Sequence, residues 1–256
     1  PASGSRDGDG TLVVGSLVPL TGAQSYLAAP MSAGLELALQ DINAAGGVLG
    51  SPVELVTADS GDDTSGTGDA AAQDLLGSGV DAVVGPITSS LAYQVIDRLT
   101  LAGVTVVSPG ARSADLTSYP DSGLFFRTTP SDTLQAVALG DLMVEDNIRS
   151  YVIVASDSAY GSSIADALKL YLDGVGPALY DDVRFVAGTD AKGFDDVAGK
   201  LASISADAVV FIGFEEDAGV LQALAAAGLG PTLKYVYTAD AALTDRFAEL
   251  FNTTGD

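Results

Sequence analysis

Short runs of apolar, often β-branched residues alternate along the chain with longer amphipathic segments. Leu12–Val18 is a continuous apolar run of the kind that forms a strand buried on both faces. The following segment places Leu35, Ala38 and Ile42 at helical spacing and ends on two glycines. The same reasoning predicts strands at 12–18, 53–58, 81–85, 104–108, 150–156, 183–187, 207–213 and 234–239. It predicts helices at 31–45, 69–76, 89–101, 132–145, 161–172, 194–204, 217–227 and 241–250.

This alternation predicts an α/β fold made of two doubly wound, Rossmann-like lobes with parallel sheets. Residues 1–10 are polar and are expected to form a flexible lead-in. Residues 11–129 form the first predicted lobe and residues 130–256 the second, with the segment Gly123–Pro130 carrying the chain across.

Charge and composition narrow the possible partners. The chain of 256 residues has 34 acidic and 11 basic side chains, a formal charge of −23. Such a field repels phosphate backbones and anionic lipid surfaces, so we expect no nucleic-acid partner. No apolar run reaches the length that spans a bilayer, so we expect no membrane insertion. The lead-in has neither the basic nor the apolar region of a signal peptide, and it reads as the sequence that follows a removed targeting segment.

The sequence lacks the residue types that enzymes most commonly use for catalysis. The chain has no Cys and no His, which excludes Ser–His and Cys–His nucleophiles and thiolate or imidazole zinc sites. The acidic stretch Asp59–Gly66 lacks the spacing of an EF-hand, and a loop leading into a helix is the better interpretation. The segment Gly193–Lys200 is only loosely like a phosphate loop. We therefore expect no metal, no cofactor and no catalytic constellation.

Polar residues follow several predicted strands, where parallel sheets usually bind ligands. Thr88, Ser89 and Ser90 follow one strand, and the turn from Gly110 through Ala111 to Arg112 follows another. Thr88–Ser90 could serve only as a helix cap, or could also hold an anion with the helix dipole.

The second lobe has the same arrangement. Tyr160 follows the strand at 150–156, and Asp240 ends the strand at 234–239. Alternatively, Tyr160 could serve only in packing, and Asp240 could serve only as a helix cap.

Several segments carry a resemblance in the same order along the chain: VVGSLVPLTG, GLELALQDINAAGGVLG, DAVVGPITSS, VVSPGARSADLT, FFRTTPSD and DSAYG. They resemble the type I periplasmic solute-binding proteins, and within them the branched-chain amino acid (Leu/Ile/Val-type) receptors of ABC importers. The resemblance implies two lobes that close on a small molecule, an extracytoplasmic location that a removed N-terminal segment could anchor to lipid, and an ABC permease as partner. Family members are longer, so we expect the first lobe to lack its C-terminal return segment.

The resemblance also assigns roles to residues in the first lobe. Ser89 matches a serine that binds the ligand carboxylate, helped by backbone around Gly110. Arg112 stands where the family has a threonine. It could clamp a carboxylate bidentately, or point to solvent or to a nearby acid, and this departure argues against a purely aliphatic ligand. Tyr26 matches a tyrosine that lines the side-chain pocket, although loop packing is an equal alternative.

In the second lobe, Asp240 matches the acidic residue that pairs with the α-ammonium, and Tyr160 matches a tyrosine that helps to hold the α-amino or the carboxylate end of the ligand. Glu215 and Glu216 stand where relatives often carry an aromatic wall, and solvated loop acids are the default interpretation for both.

These assignments predict a non-enzymatic receptor for an amino acid or a similar zwitterion. A receptor for an amide, a urea-like compound or an aromatic carboxylate is the runner-up. A ligand-sensing regulatory domain of the same fold is a further alternative, as is an enzyme that uses carboxylates such as Asp157 or Asp240.

Overall fold

The computed structural model describes residues 8–174, 176–186, 191–215, 217–227 and 235–252. Two compact units divide between Pro130 and Ser131. The strands are β1 Val13–Val18, β2 Glu54–Asp59, β3 Ala82–Val84, β4 Thr105–Ser108, β5 Phe125–Arg127, β6 Ser150–Ser156, β7 Ala178–Phe185, β8 Ala208–Ile212 and β9 Tyr235–Thr238. The α-helices are α1 Ala28–Ala44, α2 Gly68–Gly77, α3 Ser89–Leu101, α4 Asp132–Glu145, α5 Ala159–Leu172, α6 Ala191–Leu201, α7 Asp217–Ala226 and α8 Asp245–Asn252.

The first unit contains a parallel sheet with the strand order β2-β1-β3-β4-β5. A hydrophobic cluster between this sheet and helices α2 and α3 includes Leu17, Leu75, Val83 and Leu99, all fully buried. The order of the strands reverses between β1 and β3, and this topological switch point is where ligands bind in open α/β sheets.

The second unit repeats the plan with the order β7-β6-β8-β9, again wholly parallel. Its central strands β6 and β8 are buried along almost their whole length. One cluster of apolar side chains packs against α4 and α5, and another packs against α6 and α7. The predicted α/β fold with parallel sheets is therefore confirmed. The pattern could predict it because a strand covered on both faces is apolar along its whole length.

Some predicted elements were incomplete or misplaced. Within the predicted crossing segment, Phe125–Arg127 form β5 and pair with β4, a strand that three residues are too few to signal by pattern. Strand β7 begins at Ala178, before the predicted start at residue 183. Its first residues are exposed at the edge of the sheet, where few apolar positions are needed, so the apolar pattern did not mark them. The predicted helix at 241–250 is instead a 3₁₀ turn at Asp240–Ala242 followed by α8.

Two features excluded as binding motifs have ordinary structural places. Gly193–Lys200 lies within α6 and is therefore not a phosphate loop. Asp59–Gly66 forms the end of β2 and the loop that leads to α2, as predicted. Among the described residues, no helix combines the length and the apolar character needed to cross a bilayer.

Candidate functional site

The switch point of the first unit depends on a close approach that only glycine permits. Gly85 has a φ of 113°, and a Cβ placed there would lie 2.1 Å from the carbonyl oxygen of Leu17 in β1. The chain then passes through Pro86 to Thr88, the N-cap of α3, whose hydroxyl oxygen accepts a hydrogen bond from the amide of Leu91. The positive end of the α3 dipole is thereby directed to the carboxyl edge of the sheet.

Two serine hydroxyls organise the neighbouring turn after β4. The amides of Gly110 and Ala111 donate to Ser108 Oγ over 3.3 and 2.9 Å. The amides of Arg112 and Ser113 donate to Ser89 Oγ over 3.1 and 3.0 Å. All four successive backbone N–H groups of the turn are thus engaged within the protein.

Ser89 therefore occupies a particular position. It is the first residue of α3, it is 2% exposed, and its oxygen accepts two hydrogen bonds. A serine hydroxyl has two acceptor sites and one donor, so its O–H remains its means of binding a further group. Two N–H donors on the oxygen polarise that O–H, which makes it a good donor to an anion.

Gly110 also has a steric reason to be glycine. A Cβ at Gly110 would lie 2.5 Å from the carbonyl oxygen of Ile87. Ala111 is fully buried, whereas Arg112 is half-buried. The turn predicted at 110–112 therefore packs directly beside the N-terminus of α3.

Asp63 joins this cluster although the sequence did not single it out. Its Oδ1 accepts a short hydrogen bond from the hydroxyl of Thr88, and Ser90 and Gln24 also hydrogen-bond to its side chain. Burial raises the pKa of Asp63, and this outweighs the hydrogen bonds, which lower it. The hydroxyls of Thr88 and Ser90 thus point their hydrogens at a carboxyl group of the protein.

The loop that follows β1 is held by two further acids. Asp59 accepts hydrogen bonds from the hydroxyl of Thr21 and from the amides of Leu20, Thr21 and Gly61. Although burial acts in the other direction, these bonds hold the pKa of Asp59 below its ordinary value. Asp62 accepts from the amide of Ala23, and Tyr26 lies half-buried in the 3₁₀ turn that follows.

The second unit presents a cluster built from a carboxylate. Tyr160 lies in the first turn of α5, where its hydroxyl donates to Asp240 Oδ1 over 3.0 Å. The side-chain nitrogen of Gln135 on α4 donates to the same oxygen over 2.9 Å. Tyr160 is 3% exposed, and its ring packs against Phe214 with the ring centroids 5.1 Å apart. Two donors from two helices therefore fix the exposed carboxylate of Asp240.

The N-terminus of α5 explains why Tyr160 lies where it does. Ser158 caps the helix by accepting from the amide of Gly161 over 3.0 Å. A Cβ at Gly161 would lie 2.1 Å from the carbonyl oxygen of Ser156, so glycine lets the helix start directly against the end of β6.

Glu215 differs from its default interpretation. It is 8% exposed, and its carboxylate lies 3.5 Å from the hydroxyl of Thr244. The solvated loop acid is therefore wrong for Glu215, because the turn before α7 folds its side chain inward. Glu216 lies outside the described residues.

Within each unit, the structure brings together most of the predicted residues. The first unit gathers Thr88, Ser89, Ser90, Gly110, Ala111 and Arg112 at one edge of its sheet. The second brings Tyr160 to Asp240. Sequence reasoning missed Asp63, Gln135 and Asp132, the last a buried acid at the start of α4. The described residues contain no group of three acids that could hold a metal ion.

Comparison with known proteins identifies the family to which this fold belongs. Residues 11–248 match the family described as periplasmic binding protein, and the chain belongs to this family. The family is one of extracytoplasmic binding proteins rather than enzymes.

Two of the curated relatives that the chain matches are named as Leu/Ile/Val-binding proteins. The chain is 33% identical over 213 residues to Leu/Ile/Val-binding protein homolog 3 of Brucella melitensis. The aligned region covers 82% of this chain and 56% of that protein. It is 31% identical to the Leu/Ile/Val-binding protein BraC3 of Rhizobium johnstonii, with the same coverage. The chain thus spans about half the length of the curated relatives that it matches.

Solved structures agree on the fold. The branched-chain amino acid binding protein LivJ of Streptococcus pneumoniae, determined with isoleucine, superposes with a TM-score of 0.79 at 26% identity, covering 94% of this chain and 67% of that one. A solute-binding protein of R. palustris determined with benzoate superposes with a TM-score of 0.80 at 22% identity, covering 96% and 67%.

Proposed function

We propose that the protein is the extracytoplasmic receptor of an ABC importer and that it binds a small amino acid or a similar zwitterion. The first unit supplies an anion subsite and the second supplies a cation subsite. The observation that supports this most directly is the complementary chemistry of the two: a buried serine hydroxyl at a helix N-terminus in one unit, and a carboxylate held by two donors in the other.

In the anion subsite, Ser89 is the residue that binds the ligand carboxylate. Its O–H donates, the positive end of α3 attracts the charge, and the half-buried guanidinium of Arg112 adds a second attraction. Thr88 and Ser90 act behind it, since their hydroxyls hydrogen-bond to Asp63. Gly110 and Ala111 shape the turn, because their amides are bound to Ser108.

In the cation subsite, Asp240 binds the ligand ammonium, and Tyr160 orients the carboxylate of Asp240. A charge-assisted hydrogen bond from ammonium to carboxylate is stronger than a neutral one. Tyr26 and Glu215 are assigned to the part of the pocket that contacts the ligand side chain. Both are fixed by their local structure, Tyr26 in a 3₁₀ turn and Glu215 by burial.

Calorimetry on the full-length protein tests the ligand class. We expect an amino acid to bind when the twenty amino acids, acetamide, urea and 4-hydroxybenzoate are titrated in turn. Ser89→Ala should weaken that binding, whereas Ser78→Ala, at an exposed serine on the end of α2, should not. Binding only of acetamide, urea or 4-hydroxybenzoate would show that the ligand is not a zwitterion.

The half-buried Arg112 favours a second candidate, a receptor for an aromatic carboxylate or another ligand with an additional polar group. The same titrations distinguish it, because 4-hydroxybenzoate carries a carboxylate and no ammonium. Its binding should depend on Ser89 and Arg112 and not on Asp240.

The importer partner needs a separate test. The receptor, loaded with its amino acid, should stimulate ATP hydrolysis by its permease and ATPase reconstituted in vesicles. A regulatory domain of the same fold would bind the ligand equally well and leave the rate of hydrolysis unchanged.

A further inference from the structure

Gln135 is a polar residue of the second unit whose place neither the sequence pattern nor the family resemblance assigns. It lies on α4, one turn after the N-terminus of that helix. Its amide nitrogen donates to Asp240 Oδ1 over 2.9 Å, a contact between residues 105 positions apart in the chain. Such a contact requires that α4 pack beside α5 and that β9 end against both.

The other half of the same amide is what needs an explanation. The side-chain oxygen of Gln135 is buried, and it has no hydrogen-bond partner among the described residues. A buried amide oxygen without a partner costs about 1–3 kcal/mol, so native proteins rarely keep one without a reason. If the amide group of Gln135 were turned over, its oxygen would face the carboxylate of Asp240, and two hydrogen-bond acceptors would then repel each other.

The surroundings of Asp240 indicate what that oxygen could bind. Tyr160 and Gln135 both donate to Oδ1, and the hydroxyl of Tyr160 itself accepts from the amide of Ala241 over 3.3 Å. The tyrosine is thus committed to its neighbours as both donor and acceptor. An ammonium has three N–H donors, and one carboxylate rarely satisfies all three.

We propose that Gln135 is a third member of the cation subsite: its amide nitrogen holds Asp240 in place, and its amide oxygen accepts an N–H from the ligand ammonium. This inference rests on the proposed function, since it assumes a ligand with an ammonium group. It assigns to one side chain two tasks that a hydrocarbon or a carboxylate at this position could not perform together. A carboxylate would repel Asp240, and a hydrocarbon would neither donate nor accept.

A double-mutant cycle with leucine as the probe tests the proposal. Gln135→Met keeps the length of the side chain and removes both polar atoms, and Asp240→Asn keeps the shape of the carboxylate and removes its charge. We expect Gln135→Met to weaken leucine binding about tenfold in the wild-type background and less than about twofold in the Asp240→Asn background, because residues of one network are not additive. Gln40→Met, at an exposed glutamine on α1, is the matched control and should change nothing.

A general packing defect gives a different result. Gln135→Met would then weaken binding equally in both backgrounds, and that result would overturn the proposal. An unchanged affinity in the wild-type background would overturn it as well. Thermal unfolding of each variant shows whether the second unit has stayed folded.

A measurement without any ligand separates this proposal from the proposed function. The carbon NMR chemical shift of the Asp240 carboxyl group reports the hydrogen bonds that this group accepts. Loss of one donor in Gln135→Met should change that chemical shift relative to wild type and to Gln40→Met. If the wild type binds none of the twenty amino acids, the proposed function fails, and the hydrogen bond from Gln135 to Asp240 is still tested by this change in chemical shift. An unchanged chemical shift would refute it.

Discussion

The two units fix polar groups at the carboxyl edges of their sheets by opposite means. In the first, the hydroxyl oxygens of Ser89 and Ser108 accept hydrogen bonds from backbone amides beside the N-terminus of a helix. In the second, a carboxylate outside the end of β9 is fixed by side chains of two helices. The comparison teaches that the arrangement in the first unit depends on the path of the main chain, whereas the arrangement in the second depends on side chains that hold one another.

The largest effect is expected where a charge is removed from the second unit. Asp240→Ala should weaken amino acid binding by about 2–5 kcal/mol, because the ligand ammonium loses its ionic partner. Calorimetry measures this directly. Asp173→Ala, which removes an exposed acid at the end of α5, controls for the change in net charge. An affinity within threefold of wild type would mean that Asp240 does not bind the ligand.

In the first unit, the corresponding change should act on stability as well as on binding. Ser89→Ala removes the acceptor of two backbone amides, one half-buried and one buried, and should lower the free energy of unfolding by about 1–3 kcal/mol. Chemical denaturation of Ser89→Ala and of Ser78→Ala provides the comparison. Equal stabilities would show that the turn at 110–113 does not depend on this hydroxyl.

Replacing Arg112 tests how far the proposed anion subsite depends on a charged side chain as well as on the main chain. Arg112→Thr should shift preference towards leucine, isoleucine and valine and away from ligands with an additional anionic group by about tenfold, or ~1.4 kcal/mol. Competition between leucine and glutamate measures the shift, with the exposed Arg149 changed to threonine as control. If Arg112→Thr improves leucine binding and glutamate never competes in the wild type, Arg112 is not a ligand contact.

The smallest effect concerns acids that the first unit holds in different ways. Burial raises the pKa of Asp63, so this residue ionises less readily in the folded than in the unfolded chain. Its ionisation therefore costs stability as the pH rises above the unfolded value of 3.8 and through the folded pKa. Asp63→Asn should gain stability relative to wild type over that rise.

Asp59 provides the opposite sign within the same loop. Its pKa is lowered, so it contributes stability above 3.8 that is lost as the pH falls through its folded pKa. Asp59→Asn should therefore lose stability relative to wild type as the pH rises. Denaturation series for both variants across this range measure the slopes. Parallel slopes would show that the two carboxyl groups do not differ in environment.

The sequence predicted what local periodicity determines. Apolar runs located most of the strands, and helix α3 was placed at its observed limits, because each pattern is complete within one element. Contacts between distant residues could not be read in this way. Asp63 meets Thr88 only because β2, β1 and β3 lie side by side, and Gln135 meets Asp240 only after the second unit has folded. Glu215 was misjudged for the same reason, since an acid in a turn shows no sign of burial until its neighbours are known.

The wholly parallel pairing of both sheets also determines how the chain must fold. A parallel pair cannot be joined by a hairpin, so each pairing closes a long loop before its contacts stabilise it. The central strand β1 must find β2 on one side and β3 on the other, and β6 must likewise find β7 and β8. Neither sheet borrows a strand from the other unit among the described residues. We therefore expect slow folding in which each sheet can assemble from its own segment of the chain.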